Sequence, residues 1–296
     1  DSVAVPEEES DSPPLLVGLG RHRPTSLKIN VLDDPKIIQN KPIAGYAAGS
    51  INSIAGLPNG HYVMNVKDEI EKIEKALLFD NQWNMKKTLV PENVSCVAST
   101  KDTIAVSSTA NEFGVRLFDT RGSKIRDIKL FTIKKPIAIA FNKPQELLIA
   151  DDEKKFISRI NITSGKVIDT TPTDMFKSSY SITVTSENNI LIADCVGESV
   201  KFINTKGDLL STYTGKGDHT LLCPLSICVD SVGQVIIADY WKHNIQLLSP
   251  QGEYKKTLLS GKDGLRNPTA VVLNNKGELV IGCSKPAQMY VLKYMA

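Results

Sequence analysis

The chain has 296 residues, 41% hydrophobic and 23% charged, with 35 basic against 33 acidic side chains. That composition suits an ordinary soluble globular chain, and no apolar run approaches the ~20 residues that carry a helix across a bilayer. A net charge of +2 and a pI near 8.2 fall below the roughly pI 9 of a dedicated nucleic-acid domain.

Residues 1–26 come first and differ from the rest. Asp1, Glu7, Glu8, Glu9 and Asp11 precede any base, and Ser, Pro and Gly follow. Such a stretch buries little apolar surface and is expected to be a mobile linker. The start at Asp1, without a signal-peptide pattern, reads as a piece of a longer chain. Without the linker the balance is 33 bases to 28 acids, so the remainder, 27–296, is mildly basic. Leu27-Lys-Ile-Asn-Val31 then alternates apolar and polar residues and reads as a strand.

From there the chain repeats. Leu147-Leu-Ile-Ala-Asp151, Ile190-Leu-Ile-Ala-Asp194 and Val235-Ile-Ile-Ala-Asp239 are near copies, and Leu279-Val-Ile-Gly-Cys283, Thr103-Ile-Ala-Val-Ser107 and His61-Tyr-Val-Met-Asn65 are weaker ones. Their last residues, 65, 107, 151, 194, 239 and 283, lie 42, 44, 43, 45 and 44 apart. Each has an apolar strand upstream, Asn/Gly turn chemistry between, a third strand downstream and then a fourth. Four strands in ~40–50 residues mark a propeller blade. The sixth repeat runs out after its third strand, so the N-terminal strand is expected to complete that blade. The predicted fold is therefore all-β: a six-bladed β-propeller of four-stranded antiparallel blades over 27–296. One repeat departs from the others: Lys67-Asp-Glu-Ile-Glu-Lys-Ile-Glu-Lys75 lengthens the first, as a short helix, an extended strand or, most simply, a solvated loop.

Chemistry is sparse. Cys96, Cys195, Cys223, Cys228 and Cys283 are an odd set with no metal-ligand spacing, so they are expected to be reduced, inert and in a reducing, cytoplasmic setting. His22, His61, His219 and His243 fall in the linker and in separate repeats. No nucleophile elbow, P-loop or HExxH occurs, and no cofactor or metal is expected. Asp151, Asp194 and Asp239 recur once per blade and could together face a cation. As repeat residues they are better explained as acceptors for loop backbone N–H groups.

One repeat supports a family resemblance. Pro224-Leu-Ser-Ile-Cys-Val-Asp-Ser-Val-Gly-Gln-Val-Ile-Ile-Ala-Asp-Tyr-Trp-Lys-His-Asn-Ile-Gln246 resembles an NHL repeat, with Lys242 where that family usually carries Asn. NHL propellers are familiar as the C-terminal domains of tripartite-motif proteins. The resemblance implies a non-catalytic recognition module, the partner-binding end of an E3 ubiquitin ligase whose activity resides in an upstream RING. Some propellers of that family bind single-stranded RNA, which is the second reading. A metal-dependent propeller hydrolase or lyase is the remote third.

Antiparallel geometry places the loops between second and third strands on the same face as the blade-to-blade crossovers. There the fifth and sixth repeats bring Tyr240, Trp241, Lys242 and His243 near Lys216, His219, Lys262, Arg266 and Lys285. The third repeat adds Lys154, Lys155 and Phe156, after Lys134 and Lys135. Cations among aromatics suit either a protein interface or nucleic-acid phosphates and bases.

Overall fold

The computed structural model describes residues 30–108, 114–173 and 175–296. The linker at 1–26, His22 and positions 27–29 of the expected first strand lie outside them.

The described residues form six four-stranded antiparallel sheets. Strand β1 spans Val31–Pro42. Blade 1 contains β2 (Ser50–Gly56), β3 (Tyr62–Asp68), β4 (Ile73–Phe79) and β5 (Met85–Val90). Blade 2 contains β6 (Val94–Ser99), β7 (Thr103–Ser108), β8 (Val115–Asp119) and β9 (Lys124–Ile128). Blade 3 has β10 (Pro136–Phe141), β11 (Leu147–Asp151), β12 (Phe156–Ile160) and β13 (Val167–Pro172). Blade 4 has β14 (Ser179–Val184), β15 (Ile190–Asp194), β16 (Ser199–Ile203) and β17 (Leu209–Tyr213). Blade 5 has β18 (Pro224–Val229), β19 (Val235–Asp239), β20 (Asn244–Leu248) and β21 (Tyr254–Leu259). Blade 6 joins β22 (Pro268–Leu273), β23 (Leu279–Cys283) and β24 (Gln288–Met295) to β1 from the other end of the chain. The N-terminal strand does close the ring, but it is a longer and later one than Leu27–Val31.

The second strand of each blade is the core. Every residue of β11, β19 and β23 is buried, as a continuous apolar run requires when both sheet faces are covered. Each fully buried Ile or Leu contributes about 1.5–3 kcal/mol. Outer strands β13 and β17 are largely exposed. In four blades one position of the second strand is small where the next blade lies against it: Ala150, Ala193, Ala238 and Gly282. A Cβ on Gly282 would meet Ile51 at 2.7 Å, so this seam of blades 6 and 1 excludes even alanine without movement.

Every inner strand carries a register shift near its start, for example between Pro224 and Ser226 or between Ile51 and Ser53. The extra residue is a β-bulge that turns a side chain towards the central channel. Neighbouring inner strands are stitched by serines: Ser53, Ser181 and Ser226 accept from the backbone N–H of Val97, Ile227 and Val271 at 3.1, 3.3 and 3.0 Å.

The bulges correct the repeat register. Pro224 pairs with Asp239, whereas the equivalent partners in blades 1 and 2 are Val66 and Ser108. Asn65 and Ser107 therefore stand one step earlier, opposite Ser53 and Cys96 where the other blades carry Ala or Gly, and Asn65 uses the place to donate to the Ser95 carbonyl of blade 2. The extra residues of the first repeat form no helix and only a short loop. They lengthen the β3–β4 hairpin, in which Lys67 pairs with Glu74 and Asp68 with Ile73.

The cysteine expectation is overturned for two of five. Cys195 and Cys223 form a disulfide that joins the end of β15 to the segment entering β18. Cys96, Cys228 and Cys283 are free and buried. Burial pushes the Cys283 thiol up to about 12 and raises those of Cys96 and Cys228, which keeps them protonated and inert.

Candidate functional site

The crossover face is held by the recurring aspartates. Asp239 is fully buried and accepts from the backbone N–H of Leu222, Cys223 and Lys242 at 2.8, 3.1 and 3.2 Å. Asp194 accepts from Lys177, Ser178 and Gly197, each at 2.9 Å. Asp151 does the same for Lys134, Lys135, Glu153 and Lys154. Each carboxylate thus clamps the crossover entering its own blade to the loop leaving its second strand. Their lone pairs are committed to backbone donors, which leaves no ring of free acids.

The clamp presents the predicted residues unequally. Trp241 stands out at 62% exposed, with Tyr240 edge-on at 4.9 Å. Lys242 reaches back to the Asp218 carbonyl at 3.4 Å. Lys216, Lys262, Arg266 and Lys285 are exposed on the same face. Both histidines belong to the fold: His219 stacks on Tyr254 at 3.7 Å, and His243 Nδ1 accepts from the Asn267 N–H at 3.1 Å. In blade 3, Lys154 donates to the Thr132 carbonyl at 2.9 Å and lies over the half-buried Phe156 ring. Lys135 and Lys155 both pair with Asp152, at 2.8 and 2.9 Å. Burial alone would raise the Asp152 carboxyl, but the two lysines hold it below its usual range. The blade-3 cations are therefore partly neutralised.

What the sequence did not single out is the apolar character of this face. Among the described residues, six large exposed hydrophobic side chains lie on it: Ile70, Phe131, Tyr180, Val196, Leu222 and Trp241. The opposite face has Val232 alone, and the remainder sit on outer strands. Ile70 and Phe131 are each 85% exposed. The signal was present as apolar residues inside turn-rich loops, but such residues more often tuck under a loop than project from it.

At the centre of the face the channel opens into a cavity of about 280 Å³. Its rim is the bulged residue of each blade in turn: Asn52, Ser95, Ile137, Tyr180, Leu225 and Thr269. Glu74, delivered by the extended β3–β4 hairpin, also lines it. Burial raises the Glu74 carboxyl; Lys67 opposes the shift and Glu69 adds to it. A raised carboxyl binds protons more readily folded than unfolded, so stability falls as pH rises through its titration. Glu74→Gln should accordingly raise the melting temperature slightly at about pH 8 and leave it unchanged at about pH 3.5, where Glu74 is itself neutral. A thermal scan at both values checks this, and a lower melting temperature at the higher pH would contradict it.

No protein-family model matches the chain, and no curated protein does. Solved structures do. The WD40 β-propeller domain of Doa1 aligns with a TM-score of 0.60 at 14% identity, covering 82% of this chain and 78% of that one. Selenomethionine-substituted virginiamycin B lyase from Staphylococcus aureus aligns with a TM-score of 0.61 at 13% identity, covering 88% of this chain and 99% of that one. At such identities the likeness is one of fold: the chain is a six-bladed β-propeller.

Proposed function

We propose that the propeller is a non-catalytic recognition domain that binds a protein partner through its crossover face. The observation that carries this is that the exposed apolar side chains of the loops, Trp241 among them, lie mostly on one face of the disc. Exposed aromatics ringed by polar groups are the usual anchors of protein interfaces. The NHL-like repeat in blade 5 points the same way: in a tripartite-motif-like ligase this domain would select the ubiquitination substrate. The cytoplasmic placement loses its first ground, because persistent disulfides are rare in that compartment, and the proposal concerns binding alone.

A protein is favoured over single-stranded RNA because Ile70, Val196 and Leu222 cannot stack on bases, whereas they fit an apolar partner surface. Affinity capture with the domain, followed by mass spectrometry, tests the choice of face. Trp241→Ala should weaken partner retention at least tenfold, the scale of an interface hot spot of about 2 kcal/mol, without shifting the melting temperature. An unchanged partner set would overturn the face. Retention of RNA with a steep loss on adding salt, reduced by substituting Arg266, would favour the nucleic-acid reading instead.

A further inference from the structure

The channel mouth has a chemistry distinct from the rest of the face. Its walls are aliphatic and aromatic on one side, with Ile137, Leu225 and Tyr180, and polar on the other, with Asn52 and Ser95. The Thr269 hydroxyl is spent on the carbonyls of Ile51 and Gly282. The cavity continues inward into a second of about 290 Å³, which shares Asn52, Tyr180 and Leu225 with it. Together they could take a small organic molecule end-on.

The Glu74 charge has no direct partner among the described residues, and Lys67 acts on it only at a distance. Lys67 and Lys285 both pair with Glu69 at 3.9 Å, and Lys135, which feels the Tyr180 phenol, pairs with Asp152. Among the described residues, none donates a hydrogen bond to the Glu74 carboxylate or forms an ion pair with it. The cavity wall thus presents a carboxylate that lacks a donor. An ammonium group supplies three N–H donors and a positive charge; a hydroxyl supplies one donor and no charge. A hard divalent cation asks for six or more oxygens and usually several carboxylates. Here there is one, and no cluster of three acidic, His or Cys side chains occurs among the described residues.

We propose that the channel mouth binds a primary ammonium group on a short apolar stem, with Glu74 as its counter-ion and Tyr180, Ile137 and Leu225 as the wall for the stem. The ammonium would come from a free small amine or from a lysine side chain, which share this chemistry. Tyr180 is shared with the surrounding apolar face, whereas Trp241 takes no part in the site.

Titration of the whole chain with phenethylamine, and with the neutral isostere 2-phenylethanol, tests the proposal by calorimetry or by chemical-shift changes of Tyr180. The amine should bind at least tenfold more tightly than the alcohol. Glu74→Gln, which preserves shape and removes charge, should erase that preference and leave alcohol binding as it was. Tyr180→Ala should weaken both. A short lysine peptide, compared with its side-chain-acetylated form, identifies the source. Preference for the unmodified peptide over phenethylamine assigns the site to lysine, and the reverse assigns it to free amines. Equal binding of amine and alcohol, no binding of either, or an amine affinity untouched by Glu74→Gln in a protein that melts normally would each overturn the proposal.

Discussion

Asp239→Ala should destabilise the propeller by about 3–4 kcal/mol, more than any single substitution on the exposed face. The carboxylate is fully buried and serves three backbone donors from two loops. Alanine leaves the N–H groups of Leu222, Cys223 and Lys242 without an acceptor in a place water cannot easily reach. Each such donor costs about 1–3 kcal/mol when stranded, although local loosening recovers part of it. Urea unfolding should show a lower midpoint at an unchanged slope. Asp239→Asn retains one acceptor oxygen and should fall about halfway. A loss below about 1 kcal/mol for alanine would mean that the clamp is decorative. The loops carrying Leu222 and Trp241 should also become protease-sensitive before the rest of the domain, since the aspartate is what ties them together.

Removal of 31–42 should have the second large effect: loss of cooperative folding and of most soluble protein. Strand β1 pairs with β24 from Val31–Met295 to Pro42–Gln288, across two irregularities. Lys256 of blade 5 secures it by donating to the carbonyls of Leu32 and Asp33 at 2.7 and 2.8 Å. Without β1 the edge of β24 is bare, and its apolar residues face solvent or another copy. Size exclusion should show aggregate in place of monomer. Adding a synthetic peptide of residues 31–42 during refolding should restore part of the monomer, as expected for a missing strand. A truncated protein that stayed monomeric and melted in one sharp step would refute this account of ring closure.

Much of the architecture was legible because the second strands are buried on both faces and so repeat as aliphatic runs ending in Asp. The misplacement in blades 1 and 2 has a definite cause. With Val66 and Ser108 at the clamp position there is no carboxylate to mark it, and a one-residue bulge leaves no trace in an apolar pattern. The Cys195–Cys223 bond was invisible for a related reason: its partners lie 28 residues apart in different repeats, and only the arrangement of blades brings them together. Trp241 was legible, because a large aromatic in a loop between two regular strands has few neighbours to bury it. His219 and His243 were legible as residues of the crossover face, but their partners within the fold, Tyr254 and the Asn267 N–H, were not, because both come from other loops and strands. Glu74 was hidden inside a charge-rich stretch whose strand register, and hence its aim at the channel, depends on pairing with Lys67.

The aspartate clamp also separates what has to be constant from what is free to vary. Because Asp239 holds the last residues before β18, the exposed part of that crossover, 216–218, can change in sequence without touching the clamp, whereas His219 and the buried Leu221 stay tied to the sheets. Ahead of Asp151 and Asp194 the buried Ile133 and Phe176 are the fixed points, with exposed residues beside them. New surface could thus be grafted onto these arcs one sector at a time, each change insulated from its neighbours by a single buried carboxylate.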